Sequence, residues 1–213
     1  GDFIVIRKSH YYRLFPKMSA KKTQQTNIEK AKIYFKPFSN GKIKIIVSDL
    51  TTKLKPDRNC SSDICKEILT NINNSKISID MAIYGYSSTP EIEKAIKNAQ
   101  NRGVKIRLVY DVDAKNQNIY PDTFKFVSII ANSKSDGGLK DSNATMHNKF
   151  YIFDNKTVIT GSANLSHTDM SGFNSNNIIV INSSDVAKIY KTEFEQMFNG
   201  KFHSAKIPTA NNN

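Results

Sequence analysis

The run from Lys76 to Asp111 constrains this chain more than any other. KISIDMAIY alternates apolar and polar residues, a stretch of helical period follows Thr89-Pro90, and VKIRLVYD alternates again. Period two, then 3.6, then two reads as strand, helix, strand. In the first strand Ile77, Ile79, Met81 and Ile83 share a face. In the helix Ile92, Ala95, Ile96 and Ala99 do the same, and the run ends near Gly103. Parallel strands need a crossover of this length, so the unit implies a parallel pair joined by a right-handed helical connection. The class is α/β.

The remaining elements extend that unit. AKIYFKPF and KIKIIVSDL read as strands around Asn40-Gly41, and the ordered domain begins there. Ser62 to about Asn74 carries Ile64, Ile68, Leu69 and Ile72 at helical spacing, with Ser61 or Ser62 as cap. Residues 121–132 read as a helix and SKSDGGLKDSNAT as a polar loop loosened by Gly137-Gly138. Met146 to Phe153 and Thr157 to Gly161 read as strands joined by Asp154-Asn155-Lys156. Ile178 to Ile181 is a further strand, and Ser184 to Asn199 a helix that stops at Gly200. The expected architecture is a mixed, mostly parallel central sheet flanked by helices. Residues 1–27 form a basic arm, with Arg7, Lys8, Arg13, Lys17, Lys21 and Lys22 against Asp2, and residues 28–213 one domain. The arm admits two readings, a contact to nucleic acid or membrane and a solvated tail.

With 213 residues, 38% hydrophobic and 23% charged, the composition is that of a soluble globular protein. No apolar run approaches the roughly 18 residues that span a bilayer, and GDFIVIRKSHYYR is too short in its apolar part for a signal sequence. The compartment is left undetermined, an export segment outside this sequence included. Thirty-one Lys and Arg against nineteen Asp and Glu give a charge of +12, which favours a polyanionic partner, nucleic acid or anionic lipid. Cys60 and Cys65 are too few thiols for a four-ligand zinc site; a local disulfide and two free thiols both stand.

The chemistry concentrates in MHNKFYIFDNKTVITGSANLS. Alternate residues of a strand share a face, so His147 and Lys149 project together, as do Ser162 and Asn164 if their segment is extended. An imidazole can attack phosphorus, an ammonium can neutralise non-bridging oxygens, and hydroxyl and amide donors can stabilise growing charge. Tyr84 and Tyr86 stand as either cleft or core residues. His10, His167 and His203 read as surface residues, His167 being near enough to GSANLS to line the cleft.

HNKFYIFD fits the pattern H-x-K-x4-D, with GSAN following at the expected distance. From about Ile64 to Phe198 the sequence resembles the phospholipase D superfamily, and within it the small bacterial endonucleases with one such motif per chain. The resemblance implies a phospholipase D-like fold and metal-independent phosphodiester hydrolysis with no cofactor. His147 would form a phosphohistidine, Lys149 and Asn164 would hold the phosphate oxygens, and Ser162 would support that pocket. Asp154, seven residues after His147, leaves the strand on the opposite face and has two roles open to it, a direct one and the shaping of the turn. One departure stands out. Family members commonly carry a downstream Glu that orients the histidine, where this sequence offers Asn174, Ser175, Asn176 and Asn177. An amide can fix a tautomer but cannot stabilise imidazolium as a carboxylate does.

A covalent histidine needs a second group to protonate the leaving oxygen, and each chain has one motif, so a homodimer that shares its site is expected. The expected partner is nucleic acid, DNA ahead of RNA. The alternatives are a membrane lipid, as in a phospholipase or cardiolipin-type hydrolase, and a nucleic-acid-binding module with a weakened site.

Overall fold

A computed structural model describes residues 42–48, 55–138 and 144–207 of the chain. The basic arm and the first expected strand, AKIYFKPF, lie outside the described residues. The elements are β1 (Lys42–Val47), α1 (Asp63–Asn74), β2 (Ser78–Ile83), α2 (Pro90–Asn101), β3 (Lys105–Tyr110) and α3 (Thr123–Ser128). They continue with β4 (Asn132–Ser135), β5 (Lys149–Phe153), β6 (Thr157–Gly161), α4 (His167–Met170), β7 (Asn177–Asn182), α5 (Ser184–Phe198) and a 3-10 turn (His203–Ala205).

Among the described residues seven strands form one sheet in the order β1-β7-β6-β5-β2-β3-β4. The sheet is mixed and flanked by helices as expected, but it is not mostly parallel. Only β2/β3 and β3/β4 pair in parallel, while β1/β7, β7/β6, β6/β5 and β5/β2 are antiparallel. Parallel neighbours need a crossover between them, and only α2 and α3 lie within such connections. The tight turn between β5 and β6 forces the opposite direction. There Asp154 and Asn155 both have φ near +52°, and the Lys156 N–H donates to the Phe153 carbonyl at 3.0 Å. Two left-handed residues in succession match the right-handed twist of the flanking strands.

The two faces of the sheet are both covered. Ile79, Met81 and Ile83 of β2, with Tyr151, Phe153, Ile159 and Val180, pack against Ile64, Ile68 and Ile72 of α1 and Ile92, Ile96 and Ala99 of α2. The opposite face puts Ala82, Val109, Phe150, Ile152 and Val158 under Val186, Ala187, Phe194 and Met197 of α5. On this face Asp80, 1% exposed, meets Arg107 in a two-point contact at 2.7 and 3.1 Å and also pairs with Lys191. Glu195 closes the network on Arg107 at 2.7 Å. Removing one partner of so buried a pair strands the other, a loss of about 3–5 kcal/mol.

Several boundaries differ from expectation. The helix expected over residues 121–132 is only Thr123–Ser128, and the polar loop after it opens with the strand β4, NSKS. A four-residue polar edge strand carries no apolar alternation to betray it. The α1 cap is Ser62, whose hydroxyl accepts the Cys65 N–H at 3.0 Å. Cys60 and Cys65 are joined in a disulfide that ties the incoming loop to the first turn of α1.

Asp154 serves as a clamp on the sheet. Its carboxylate accepts the backbone N–H groups of Lys76, Ile77 and Ser78 at 2.7 to 3.2 Å. Burial opposes its ionisation, yet these three donors outweigh burial and hold its pKa below the ordinary carboxylate range. A depressed folded pKa means stabilisation that is present above the unfolded value and lost as pH falls through the folded one. Asp154→Asn is therefore expected to lose about 1–2 kcal/mol at neutral pH, from hydrogen bonds to a charged group. Urea unfolding at several pH values checks this, and the difference from wild type should shrink as the pH is taken down through the acid range. Turnover per folded molecule should be unchanged, and a collapse of turnover without loss of stability would return Asp154 to a direct role.

Candidate active site

The site lies where β2, β5 and β6 end together. Ile83, the last residue of β2, is the register partner of Lys149, the first of β5. The strand expected from Met146 begins only at Lys149, because the Met146 N–H donates to the Asp111 carboxylate at 2.7 Å instead of to a neighbouring strand. His147 thus sits on an extended lead-in rather than in the sheet. Its ring meets the Tyr84 ring edge-on at 4.6 Å. The Lys149 ammonium lies 5.6 Å from the same Tyr84 ring centre and donates to the His147 carbonyl at 3.0 Å. Tyr84 therefore lines the site, whereas Tyr86 is fully buried and stacks on Phe126 at 4.1 Å.

The GSAN segment follows β6 directly. A side chain on Gly161 would bring its Cβ within 2.1 Å of the Asn177 carbonyl, so only glycine lets β6 approach β7 this closely. Ser162 is then held on both sides. Its hydroxyl donates to Asn176 Oδ1 at 2.9 Å and accepts the Asn177 N–H at 3.0 Å. Asn164 is held through its backbone, which donates to Asp169 Oδ2 at 2.7 Å, while its side-chain oxygen is buried with no hydrogen-bond partner among the described residues. The bridge between Tyr86 and Leu165 brings the end of β2 against this segment. Beside that bridge, Ser87 Oγ and His167 Nδ1 are hydrogen-bonded.

His147, Lys149, Ser162 and Asn164 thus follow the ends of adjacent strands, whereas Asp154 stands at the far end of β5, roughly 16 Å from Lys149 at the usual rise per residue. No described residue hydrogen-bonds the His147 imidazole. The segment that lacks Glu is occupied otherwise: Asn174 Nδ2 donates to Asp169 at 2.6 Å and Asn176 accepts from Ser162. Asp169 was not singled out from the sequence. The signal available was Ser166-His167-Thr168-Asp169, a serine cap with an acid three residues on. His203, expected at the surface, points at the buried Asp136 carboxylate at 3.3 Å.

Electrostatics separate the two basic groups. Burial lowers the His147 pKa, and the Lys149 charge lowers it further, so the imidazole is neutral and nucleophilic at neutral pH. Burial brings Lys149 down to about 8, against the opposing pull of the Asp169 carboxylate. Lys149 is therefore mostly an ammonium at pH 7. Burial also pushes Asp111 up to about 7; the Met146 N–H opposes this and the Asp136 and Asp113 charges add to it. A neutral imidazole beside an ammonium, with the Asn164 amide following the end of the adjacent strand, suits nucleophilic attack on a phosphodiester. Among the described residues no group of three or more His, Cys, Asp and Glu is arranged to hold a metal ion.

Known proteins resemble this chain in sequence and fold. The family described as "Cardiolipin synthase, PLD-like domain" matches residues 68–198. A "Phospholipase D" of Rickettsia felis is 32% identical over 146 residues, covering 68% of each chain. The "Mitochondrial cardiolipin hydrolase" of Homo sapiens is 27% identical over 125 residues, 58% of this chain and 46% of that one. Among solved structures, a phospholipase D family member, Nuc from Salmonella typhimurium, superposes with a TM-score of 0.58 at 27% identity, covering 76% of this chain and 96% of that one. The chain spans about two thirds of the length of the Rickettsia relatives it matches. The strands from β2 to β7, the hairpin and the GSAN segment all fall within the matched stretch, and the chain belongs to the phospholipase D superfamily.

Proposed function

We propose that this superfamily phosphodiesterase is an endonuclease acting on nucleic acid, DNA ahead of RNA, without a metal, in a homodimer whose two copies complete one site. The observation that carries the reading is the neutral His147 packed with the Lys149 ammonium against Tyr84, with the GSAN segment following the end of the adjacent strand β6. A ring nitrogen of the neutral His147 attacks phosphorus, the bond to the leaving oxygen breaks, and that oxygen takes a proton from the second copy's His147, whose protonated form the negative charge of the bound phosphodiester stabilises. Water, giving its proton back to that second imidazole, then cleaves the phosphohistidine. Lys149 and Asn164 neutralise and hold the non-bridging oxygens throughout, with Ser162 bracing the Asn164 segment. A charge of +12 supports a polynucleotide, whose many phosphates release counterions on binding.

The name of the human relative favours a second reading, cardiolipin as substrate. Incubation with single- and double-stranded DNA, RNA and cardiolipin vesicles in excess chelator separates the two. Cleavage of DNA that persists in chelator is the expected result; turnover confined to the vesicles selects the lipid reading, and an absolute need for added divalent metal refutes metal independence. His147→Ala should bind DNA as wild type does and cleave it at least about a thousandfold more slowly, as loss of a nucleophile demands.

The pH dependence follows from the two shifts. kcat/KM should fall on the acid side below the ordinary imidazole range, where the nucleophilic His147 takes up a proton, and on the alkaline side in two steps, first as the second copy's His147 loses the acid proton and again near pH 8, where Lys149 loses its own. In Lys149→Arg the residual activity should no longer fall near pH 8, because guanidinium stays charged. An unchanged alkaline limb in that variant would assign it to another group.

The homodimer is tested by mixing. Wild type exchanged with excess His147→Ala subunits should lose more activity than dilution accounts for, since each heterodimer lacks either nucleophile or acid. Heterodimers that form and still cleave an unactivated phosphodiester at full rate per intact chain would place the acid within one subunit, with His167 the first candidate.

A further inference from the structure

The carboxylate absent from residues 174–177 has a counterpart elsewhere in the site. Asp169, the third residue of α4, is 2% exposed. Both of its oxygens act as acceptors. Oδ2 takes the Asn164 N–H at 2.7 Å, and Oδ1 takes the Asn174 amide at 2.6 Å and the Thr168 hydroxyl at 3.4 Å. Backbone and amide donors on both oxygens suit a carboxylate acceptor. No described Lys, Arg or His forms an ion pair with it, so its charge is not cancelled locally and acts at longer range through a poorly screened interior.

That charge reaches three groups around the site. It opposes the loss of the Lys149 proton, and it disfavours ionisation of Tyr120 and Tyr151. The Tyr151 hydroxyl is itself buried without a hydrogen-bond partner among the described residues. The groups that face Lys149 are thus His147 from the lead-in to β5, the Tyr84 ring from the end of β2, and Asp169 from α4. Of these Asp169 alone carries negative charge.

We propose that Asp169 is a positioning residue for phosphodiester cleavage, holding the Asn164 segment by its backbone and directing a negative charge at Lys149. The proposal rests on the reading of Lys149 and Asn164 as phosphate-binding groups. Asp169 does not replace the missing glutamate at the histidine. It serves the other half of the site, the phosphate clamp. The structure ties the two halves together through Asn174, which lies in the segment without the glutamate and donates to Asp169.

The test is Asp169→Asn, read in two ways. The alkaline limb of kcat/KM should move to lower pH by about one unit, the effect expected of removing one nearby charge from a buried site. Competitive acetylation of Lys149, followed by mass spectrometry across the same pH range, should report the same displacement on the folded protein without any substrate. An alkaline limb and a Lys149 titration both unmoved, with activity falling only as thermal stability falls, would reduce Asp169 to a structural residue and overturn the proposal. A displaced Lys149 titration in a protein that cleaves nothing would sink the nuclease reading and leave the link between Asp169 and Lys149 standing. Should Asp169→Asn not fold, Asp169→Glu carries the test, since it keeps the charge but shifts the acceptor by one methylene. Its alkaline limb should stay where wild type has it while kcat drops about tenfold or more, the cost of misplacing a phosphate-holding segment. A limb displaced downward in that variant, or an unchanged kcat, counts against the proposal.

Discussion

Strand β5 is covered on both faces and paired along both edges, and the positions of Lys149 at one end and Asp154 at the other follow from that confinement. Tyr151 and Phe153 enter one core while Phe150 and Ile152 enter the other, so a slip of one residue would exchange two incompatible sets of neighbours. The register is pinned again at the hairpin end, where Asp154 gathers three amides from the start of β2. With one end anchored and the body locked, the opposite end has no freedom, and Lys149 emerges beside Ile83 and Tyr84. The motif's aspartate and its lysine thus stand at opposite ends of one rigid bar, the first fixing where the second points.

The parts of this arrangement that the sequence discloses are those written in periodicity and local chemistry. The unit β2-α2-β3, the core residues of α1 and α2, the hairpin turn and the closing helix follow from spacing alone, because burial on a defined face leaves a pattern. Hidden from the sequence are features decided by partners distant along the chain. Met146 looks like strand, yet its N–H is captured by Asp111, thirty-five residues away, and β5 starts three residues late. The antiparallel majority of the sheet is a fact of strand order, which no single segment encodes. β4 has no apolar face to read. Asp169 sits five residues beyond Asn164 in a four-residue helix, where its charge looks like an ordinary surface acid until the fold buries it.

The site also keeps its imidazole uncharged. A net positive charge already disfavours protonation of an imidazole, and at His147 withdrawal from water and the lysine two residues away lower the pKa directly. The same withdrawal weakens the hold of Lys149 on its own proton, and a carboxylate placed beyond hydrogen-bond reach of the ammonium restores part of it without neutralising it in an ion pair. A contact ion pair would leave the lysine with less positive charge to offer an incoming phosphate.

Strand β4 closes the sheet at the edge away from β1, and it is four residues long, polar throughout and carries Lys134 at its centre. An edge of this kind offers an approaching chain little ladder to extend and a buried charge if it tries. Copies of the chain can therefore crowd together without their sheets zipping at that edge, so that high local concentration need not become insoluble fibre.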